Sequence, residues 1–530
     1  MGKNIVSLLT QSHFDFKTSA LCFKFYDEIK RSGLYDEDFY LKTYDDVSGD
    51  GLTHYLVKGF REGKSPSLDF DDEFYLKAYP DVKQAGINPL LHYIAYGVNE
   101  DKIIQNSYSI RRKDEICESN LPFLTNYHFE EEPLVSIIIL NRDGINHLKR
   151  LFKDFDKKTN YSNYEIIVVD NASSDESVEY LKSLNLPITV IENDINVSFS
   201  KGNNYAAGIA KGDYLLLLNN DIEPTYGWLN ELMGTIVNNE NVACVGAKLV
   251  FPYYFTANRN KSFQIQHSGD IFAERMYPCC LYAVNKSNSN LDIFDSALTQ
   301  NNYCIAVTGA VMLVDKKVYE DVGGLCEDYN YGLEDVDFCL KLYENNFDVM
   351  FAANALLFHH ESSTRVKSKS YFENDKNNYS IFWDKWGQFL SRNLLLDKIH
   401  DKGFFTDKKL KITIIDDNFT QNQKIISEIS KKFNELNYTV ELITNMKNHY
   451  IGNSADILLS FTDKYDVNEL ISRSDIIKVL VIDKDTSDSS DFDISLSFDK
   501  SIKSDIYIEN DFVSEFLDKL EKILTDGYEF

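Results

Sequence analysis

The sequence predicts an α/β protein: a central, mostly parallel, doubly wound sheet, a small helical repeat domain before it and a smaller α/β domain after it. Between Val135 and Arg365, short apolar runs alternate with stretches of helical spacing, which is the order of βαβα units. Three of these runs, 135–140, 165–169 and 214–218, stop abruptly at Asn141-Arg142-Asp143, Asp170-Asn171 and Asn219-Asn220-Asp221. Near Lys408 a fresh series of the same kind begins. Apolar runs bounded by polar turns read as strands buried on both faces, and ligands of open α/β sheets lie beyond the carboxyl ends of such strands. Asp170 and Asp221 are therefore expected on the rim where a ligand sits.

Taken in order, the chain first repeats itself. Residues 35–66 and 70–102 are two copies of one pattern: Asp38-Phe39-Tyr40-Leu41-Lys42 returns as Glu73-Phe74-Tyr75-Leu76-Lys77, and His54-Tyr55 with Gly59 returns as His92-Tyr93 with Gly97. Aromatics at helical spacing followed by glycine predict short helical hairpins packed on each other or on the next domain. For any single tyrosine here, a place in the core is favoured over a sugar-stacking role. Residues 103–132 are polar and read as an irregular linker, closing a first module over 1–130.

The central domain, 133–400, continues with helical spacing over Asn146–Phe155 and Ser174–Leu184, the second capped by Ser173 or Ser174. A strand at Ile188–Ile191 and a helix through Ala210 follow. No glycine-rich dinucleotide fingerprint or Walker loop follows the first strand, which disfavours those chemistries. The last domain, 408–530, has strands starting at Lys411, Val440, Asp456 and Lys478. It ends in a helix with apolar positions 513, 516, 517, 520 and 524. This is a Rossmann-like arrangement without a phosphate loop, expected to serve docking, acceptor holding or oligomerisation.

At 530 residues the chain exceeds what one core serves. Its net charge of -28 argues against nucleic acid or an anionic membrane as the main partner. The eight cysteines form no C-x-x-C pair and no zinc spacing, so reduced thiols are expected. Neither a signal peptide nor a membrane span is legible, and a cytoplasmic protein is expected.

Three constellations carry chemistry. Asp221, ending a run of leucines beside Asn219 and Asn220, suits a hard divalent cation, Mg²⁺ or Mn²⁺, that shares its shell with phosphates. A turn residue is the bland alternative. In Tyr331-Gly332-Leu333-Glu334-Asp335-Val336, apolar positions 336, 339, 340 and 343 fall on one helical face and put Glu334 and Asp335 in the first turn. There they either complement the helix dipole or supply a general base. His359-His360-Glu361-Ser362-Ser363-Thr364-Arg365 follows an apolar run, and a histidine there is either structural or completes a metal shell.

The order V-S-I-I-I-L-N, V-V-D-N-A-S-S-D, S-K-G-N-N, L-L-N-N-D, T-G-A-V-M-L-V, V-G-G-L-C-E, E-D-V-D-F-C-L-K and H-H-E-S-S-T-R resembles family 2 of the inverting glycosyltransferases with the GT-A fold. It looks most like the bacterial rhamnosyltransferase-like branch, and the likeness covers about half the chain. The resemblance implies a nucleotide-sugar donor, UDP- or dTDP-linked, and a glycan, lipid-linked saccharide or glycoprotein acceptor. It implies a donor pocket of Asn141, Asp170, Asn203, Asn219, Asn220, Gly309 and Ala310. A divalent cation, Mn²⁺ or Mg²⁺, would sit on Asp221 and His359, with Asp335 as the catalytic base and Glu334 beside it. Asn219 replaces the first aspartate of the family's D-x-D, Cys326 replaces an aspartate and Lys341 an arginine. The reading admits peripheral association with the inner face of the membrane and a homo-oligomer; its alternative is a catalytically silent scaffold or glycan-binding protein of the same fold.

Overall fold

The computed structural model describes residues 16–44, 46–47, 49–67, 70–97, 107–252, 255–256, 259–260, 263–275, 280–285, 291–360, 369–416, 419–444, 455–462, 476–482, 492–497, 503–509 and 511–526. The Glu361–Arg365 part of the His-His motif lies outside them.

The two repeats fold alike to the level of single hydrogen bonds. Helices Glu37–Thr43 and Asp72–Ala78 are capped by Asp36 and Asp71, each carboxylate accepting at 2.9 Å from the third residue on, Phe39 or Phe74. In each copy a tyrosine hydroxyl lies 3.0 Å from a histidine Nδ1, Tyr40 with His54 and Tyr75 with His92. Tyr35, Tyr40, Tyr55, Tyr75 and Tyr93 are buried together in one cluster, so these aromatics are core. The copies pack on each other, Tyr55 donating to Asp72 at 2.8 Å.

The stretch read as an irregular linker is different in the structure: it contains a helix, Ser107–Asn120, and then lies against the central domain. Its polar composition hid this because a few scattered residues make the contacts, with Ile116 buried among Val250, Ile265 and Phe358 and others polar. Lys113 pairs with Glu223, Asn120 Nδ2 donates to the Asn354 carbonyl at 3.0 Å, and Thr125 Oγ1 donates to Glu231 at 3.0 Å. Gly234 leaves the space that the Tyr127 ring occupies; a Cβ there would collide with it.

In the central sheet β1 (Val135–Asn141), β2 (Tyr164–Asn171), β3 (Ile188–Asn193) and β4 (Tyr214–Asn219) are parallel in the order 3-2-1-4. Strand Val311–Asp315 then enters antiparallel between β4 and Val242–Val250, which in turn pairs parallel with Asp348–His359. The antiparallel strand follows no crossover helix, so the right-handed βαβ rule does not bind it. One apolar cluster covers each face of the sheet. The helix expected over 146–155 is broken into Ile145–Leu151 and Phe155–Lys158, with Asp154 between them at φ 55.

Helix Lys369–His400 buries Phe382, Trp386 and Leu390 in the central core, then Leu395 and Ile399 in the next one. Among the described residues that next domain is a parallel sheet of six strands between Lys411 and Tyr507, followed by helix Phe512–Thr525. Among the described residues no helix is long and apolar enough to cross a membrane.

Candidate functional site

The strand ends of the central sheet meet as the apolar runs predict, and the residues Asn219-Asn220-Asp221 join them. The Asn219 amide donates to the Ala310 carbonyl at 2.9 Å. Asn220 Nδ2 donates to Asn141 Oδ1, also at 2.9 Å. Asp221 Oδ1 lies 3.2 Å from His359 Nε2. Three successive residues thus tie together three parts of the site.

On the first side, Asp170, next to last in β2, is buried, and Asn141 Nδ2 donates to its Oδ1 at 3.0 Å. Ser173 donates to the same carboxylate from Oγ at 2.6 Å and from its amide at 2.9 Å. Ser174 donates to Asp143 through its amide at 2.7 Å and its hydroxyl at 3.0 Å. Neither serine caps the helix Ser177–Ser183, as the sequence led us to expect; the helix begins after Glu176 without a side-chain cap. The serines instead stiffen the rim, because serine binds nearby backbone and side-chain groups as readily as it caps.

At Asp221 burial alone would raise the carboxyl, but the imidazoles of His359, His147 and His360 hold it well below the ordinary carboxylate range. Its Oδ1 is buried without an aligned hydrogen-bond donor even though His359 is close. A carboxylate oxygen and an imidazole nitrogen that face each other at ligand-sharing distance fit a divalent cation. Among the described residues no group of three or more His, Cys, Asp and Glu is placed to hold a metal. Asp221 and His359 are two side chains that could hold such a cation, with phosphate oxygens and water completing its shell, as is common for Mg²⁺. Behind them, His360 Nε2 is 3.2 Å from Glu223 and its Nδ1 3.4 Å from Arg150. Burial, with Arg150 next, pushes the His360 pKa down to about 4. Burial alone would raise Glu223, but Lys113 and His360 hold its carboxyl well below the usual range.

On the third side, helix Glu334–Glu344 starts where expected. Asp335 is partly exposed; its Oδ2 accepts from the Gly309 amide at 2.9 Å and its Oδ1 from the Val336 amide at 2.9 Å. A Cβ on Gly309 would press between Phe199 at 3.3 Å and Asp335 Cβ at 3.4 Å, so glycine lets the turn approach the acid. Glu334 is buried and folds back, accepting from the Gly332 amide at 2.5 Å. Asp337, fully buried, anchors the helix by accepting from Lys385 at 2.7 Å and Trp386 Nε1 at 2.9 Å. Lys341 Nζ donates to the Gly324 carbonyl at 2.8 Å.

Asn203 is not brought to this group: it is buried, and its Nδ2 donates to the Phe199 carbonyl of its own helix at 2.9 Å. Its neighbour Asn204 holds the turn after Gly323-Gly324, accepting from Tyr319 at 2.6 Å and from the Leu325 amide at 3.0 Å. Sequence reasoning also missed His267 and Asp270. His267 Nε2 accepts from the Gly269 amide at 3.3 Å and the Thr308 amide at 3.4 Å, and its Nδ1 lies 3.6 Å from Asp270 Oδ1. Burial, and then the charge of Asp335, hold the Asp270 carboxyl well above its ordinary range. The signal was His267-Ser268-Gly269-Asp270, a turn with Gly269 at φ 95, inside a stretch too irregular to place by spacing.

Residues 135–319 match the family described as "Glycosyl transferase family 2". That span runs from β1 to just past strand Val311–Asp315, and stops short of Glu334, Asp335 and His359. Over 250 residues, 44% of this chain and 25% of the relative, the sequence is 30% identical to "Uncharacterized protein y4gI" of Sinorhizobium fredii. Over 271 residues, 49% of this chain and 20% of the relative, it is 28% identical to "O-antigen biosynthesis protein RfbC" of Myxococcus xanthus. Over 283 residues, 53% of this chain and 82% of the relative, it is 23% identical to "Low-salt glycan biosynthesis hexosyltransferase Agl10" of Haloferax volcanii. The matched part is thus only a quarter and a fifth of the first two relatives. The family match lies over the strands of the central sheet from β1 to Val311–Asp315.

Proposed function

We propose that this family 2 region makes the chain an inverting glycosyltransferase, which moves a sugar from a nucleoside diphosphate to a hydroxyl of a bacterial glycan, lipid-linked saccharide or glycoprotein. The observation that carries the reading is the Asn219-Asn220-Asp221 junction, which links a rim acid, a metal-type pair and, through the 308–310 turn, a carboxylate.

In this reading Asp335 takes the proton of the acceptor hydroxyl while that oxygen attacks the anomeric carbon from the side opposite the diphosphate. The new C–O bond forms, the old one breaks, and the nucleoside diphosphate leaves with its electron pair, so configuration inverts. General-base help of this kind contributes on the order of 10²- to 10⁴-fold. The amides of Gly309 and Val336 fix the carboxylate's orientation while leaving it part-exposed to an acceptor. Asp170, held by Asn141 and Ser173, faces the donor's base and ribose. Asp221 and His359 would hold Mn²⁺ or Mg²⁺, which when bound supplies counter-charge for the leaving diphosphate. We place the donor among UDP- and dTDP-hexoses or deoxyhexoses, with rhamnose, galactose and N-acetylglucosamine all admitted, and the reaction in the cytoplasm.

The test is thermal stabilisation of the whole chain by UDP-, dTDP- and GDP-sugars, with and without Mn²⁺. A ligand at a hundredfold excess over its Kd should stabilise the folded state by about 2.7 kcal/mol. A metal-dependent rise with one nucleotide, lost in Asp221→Ala, is the expected result; no rise with any of them sinks the reading.

A further inference from the structure

Just before the helix that carries Asp335, three successive residues take left-handed backbone: Tyr331 at φ 65, Gly332 at φ 115 and Leu333 at φ 74. Glycine adopts this region freely, whereas a side chain there is strained. The buried side chain of Asn378, from helix Lys369–His400, holds the segment in place. Its Oδ1 accepts from the Asn330 amide at 2.9 Å, and its Nδ2 donates to the carbonyls of Asn330, Tyr331 and Gly332 at 3.3, 3.2 and 3.1 Å.

The strain is not used in the same way at both side chains. Leu333 packs partly buried against the central core, so its conformation is offset by burial. Tyr331 stays 57% exposed. A strained backbone that another element over-determines, and that presents a large aromatic to solvent instead of burying it, points to a ligand. An exposed tyrosine ring has an apolar face for a sugar's C–H surface and a hydroxyl for its polar rim.

We propose that Tyr331 is an acceptor platform, its ring stacking on the sugar whose hydroxyl Asp335 deprotonates. This rests on the transferase reading above. It adds what that reading leaves open, namely that the acceptor's reacting end is a sugar ring recognised by a fixed aromatic four residues ahead of the base.

Saturation-transfer NMR on the full chain with UDP and Mn²⁺ tests it, using methyl glycosides of glucose, galactose, rhamnose and N-acetylglucosamine as probes. At least one glycoside should receive saturation on its ring C–H protons. Tyr331→Gly should cut that at least about fivefold and Tyr331→Phe should keep it. Because glycine relieves the backbone, Tyr331→Gly should leave the melting temperature unchanged or raise it by about 2 °C. Saturation with none of the glycosides, equal saturation in Tyr331→Gly, or a lower melting temperature in that variant overturns the platform. Stabilisation of the wild-type chain by UDP with Mn²⁺ is read in parallel. If it is present while the glycosides are silent, the platform alone falls; if it is absent for every nucleotide, the transferase reading falls with it.

Discussion

At the carboxyl ends of the central sheet's strands, polar side chains reach across from strand to strand: Asn141 to Asp170, Asn220 to Asn141, Asp221 to His359. Among the described residues at the same ends of the carboxyl-terminal sheet, two polar side chains bond within their own connections. Asp416 accepts from Asn422 at 3.2 Å in the helix that follows it, and Ser460 donates to the Thr462 carbonyl at 2.7 Å. A strong charge contact of that domain, Lys398 with Asp456 at 2.6 Å, ties it to the long helix instead. The central sheet is mostly parallel and the carboxyl-terminal one parallel throughout its described strands, and parallel strands offer a rim at their carboxyl ends. Only cross-strand contacts turn that rim into a site, because they hold groups from different loops at fixed distances.

The largest expected effect is on the chemistry of the central rim. Asp335→Asn keeps the shape and loses the proton acceptor, so sugar transfer should fall by about 10²- to 10⁴-fold. Stabilisation by nucleotide and Mn²⁺ should remain. A variant that transfers normally would remove Asp335 from the chemistry and make the two rims alike.

The converse experiment attacks the other sheet. Asp456→Ala leaves Lys398 buried without its carboxylate, and breaking such a pair costs about 3–5 kcal/mol. Denaturant unfolding should show that loss in the carboxyl-terminal domain, with nucleotide stabilisation intact. If nucleotide binding disappears too, the second sheet contributes to the site and the contrast between the sheets fails.

A buried acid is not by itself a mark of function, and the repeat module shows why. Asp72 is only half-buried as a residue, but its Oδ2 is shut off from water, and burial, opposed by the Tyr55 hydrogen bond, pushes its pKa up to about 8. Asp270 is raised too, yet there the neighbouring charge is the candidate base. The unfolded carboxyl titrates near 3.9, so between about pH 4 and pH 8 the folded state binds more protons than the unfolded. The module should lose stability as pH rises through that window, by at most about 1.4 kcal/mol per unit, and change little above it. Asp72→Asn should flatten this slope in melting curves from pH 4 to 9, since the amide oxygen can still accept from Tyr55. An unchanged slope would assign the pH response to other groups.

How much of this was legible beforehand follows from what each residue depends on. β1, β2 and β4 and their terminal acids were readable because burial on both faces writes itself as an apolar run. The Glu334 helix was readable because one face is apolar. The helix over 107–120 was not, because Lys113, Asn120 and the buried Ile116 each meet residues distant in the chain, and such pairs leave no local period. The part Asn204 plays at the 323–325 turn was not readable, because a motif gives the residue type but not which side of the helix meets that turn. The backbone of Tyr331 and the Asn378 side chain that clamps it are 47 positions apart in the chain and meet only in the fold.

The same limit hid His267, and it sets the finest test of the comparison. His267 accepts from the Thr308 amide, and Thr308 precedes the Gly309 whose amide holds the base. Removing the imidazole in His267→Ala leaves two backbone amides without that acceptor and loosens the turn by a fraction of an ångström. Small misplacements of a reacting group have large kinetic cost, so transfer should fall about tenfold in kcat while KM for the donor stays put. His267→Gln, whose Oε1 can take the place of Nε2 as an acceptor, should recover most of it. If His267→Ala instead raises the donor KM at constant kcat, the histidine serves the donor pocket. If glutamine recovers nothing while the fold melts normally, the turn is held by something other than that hydrogen bond.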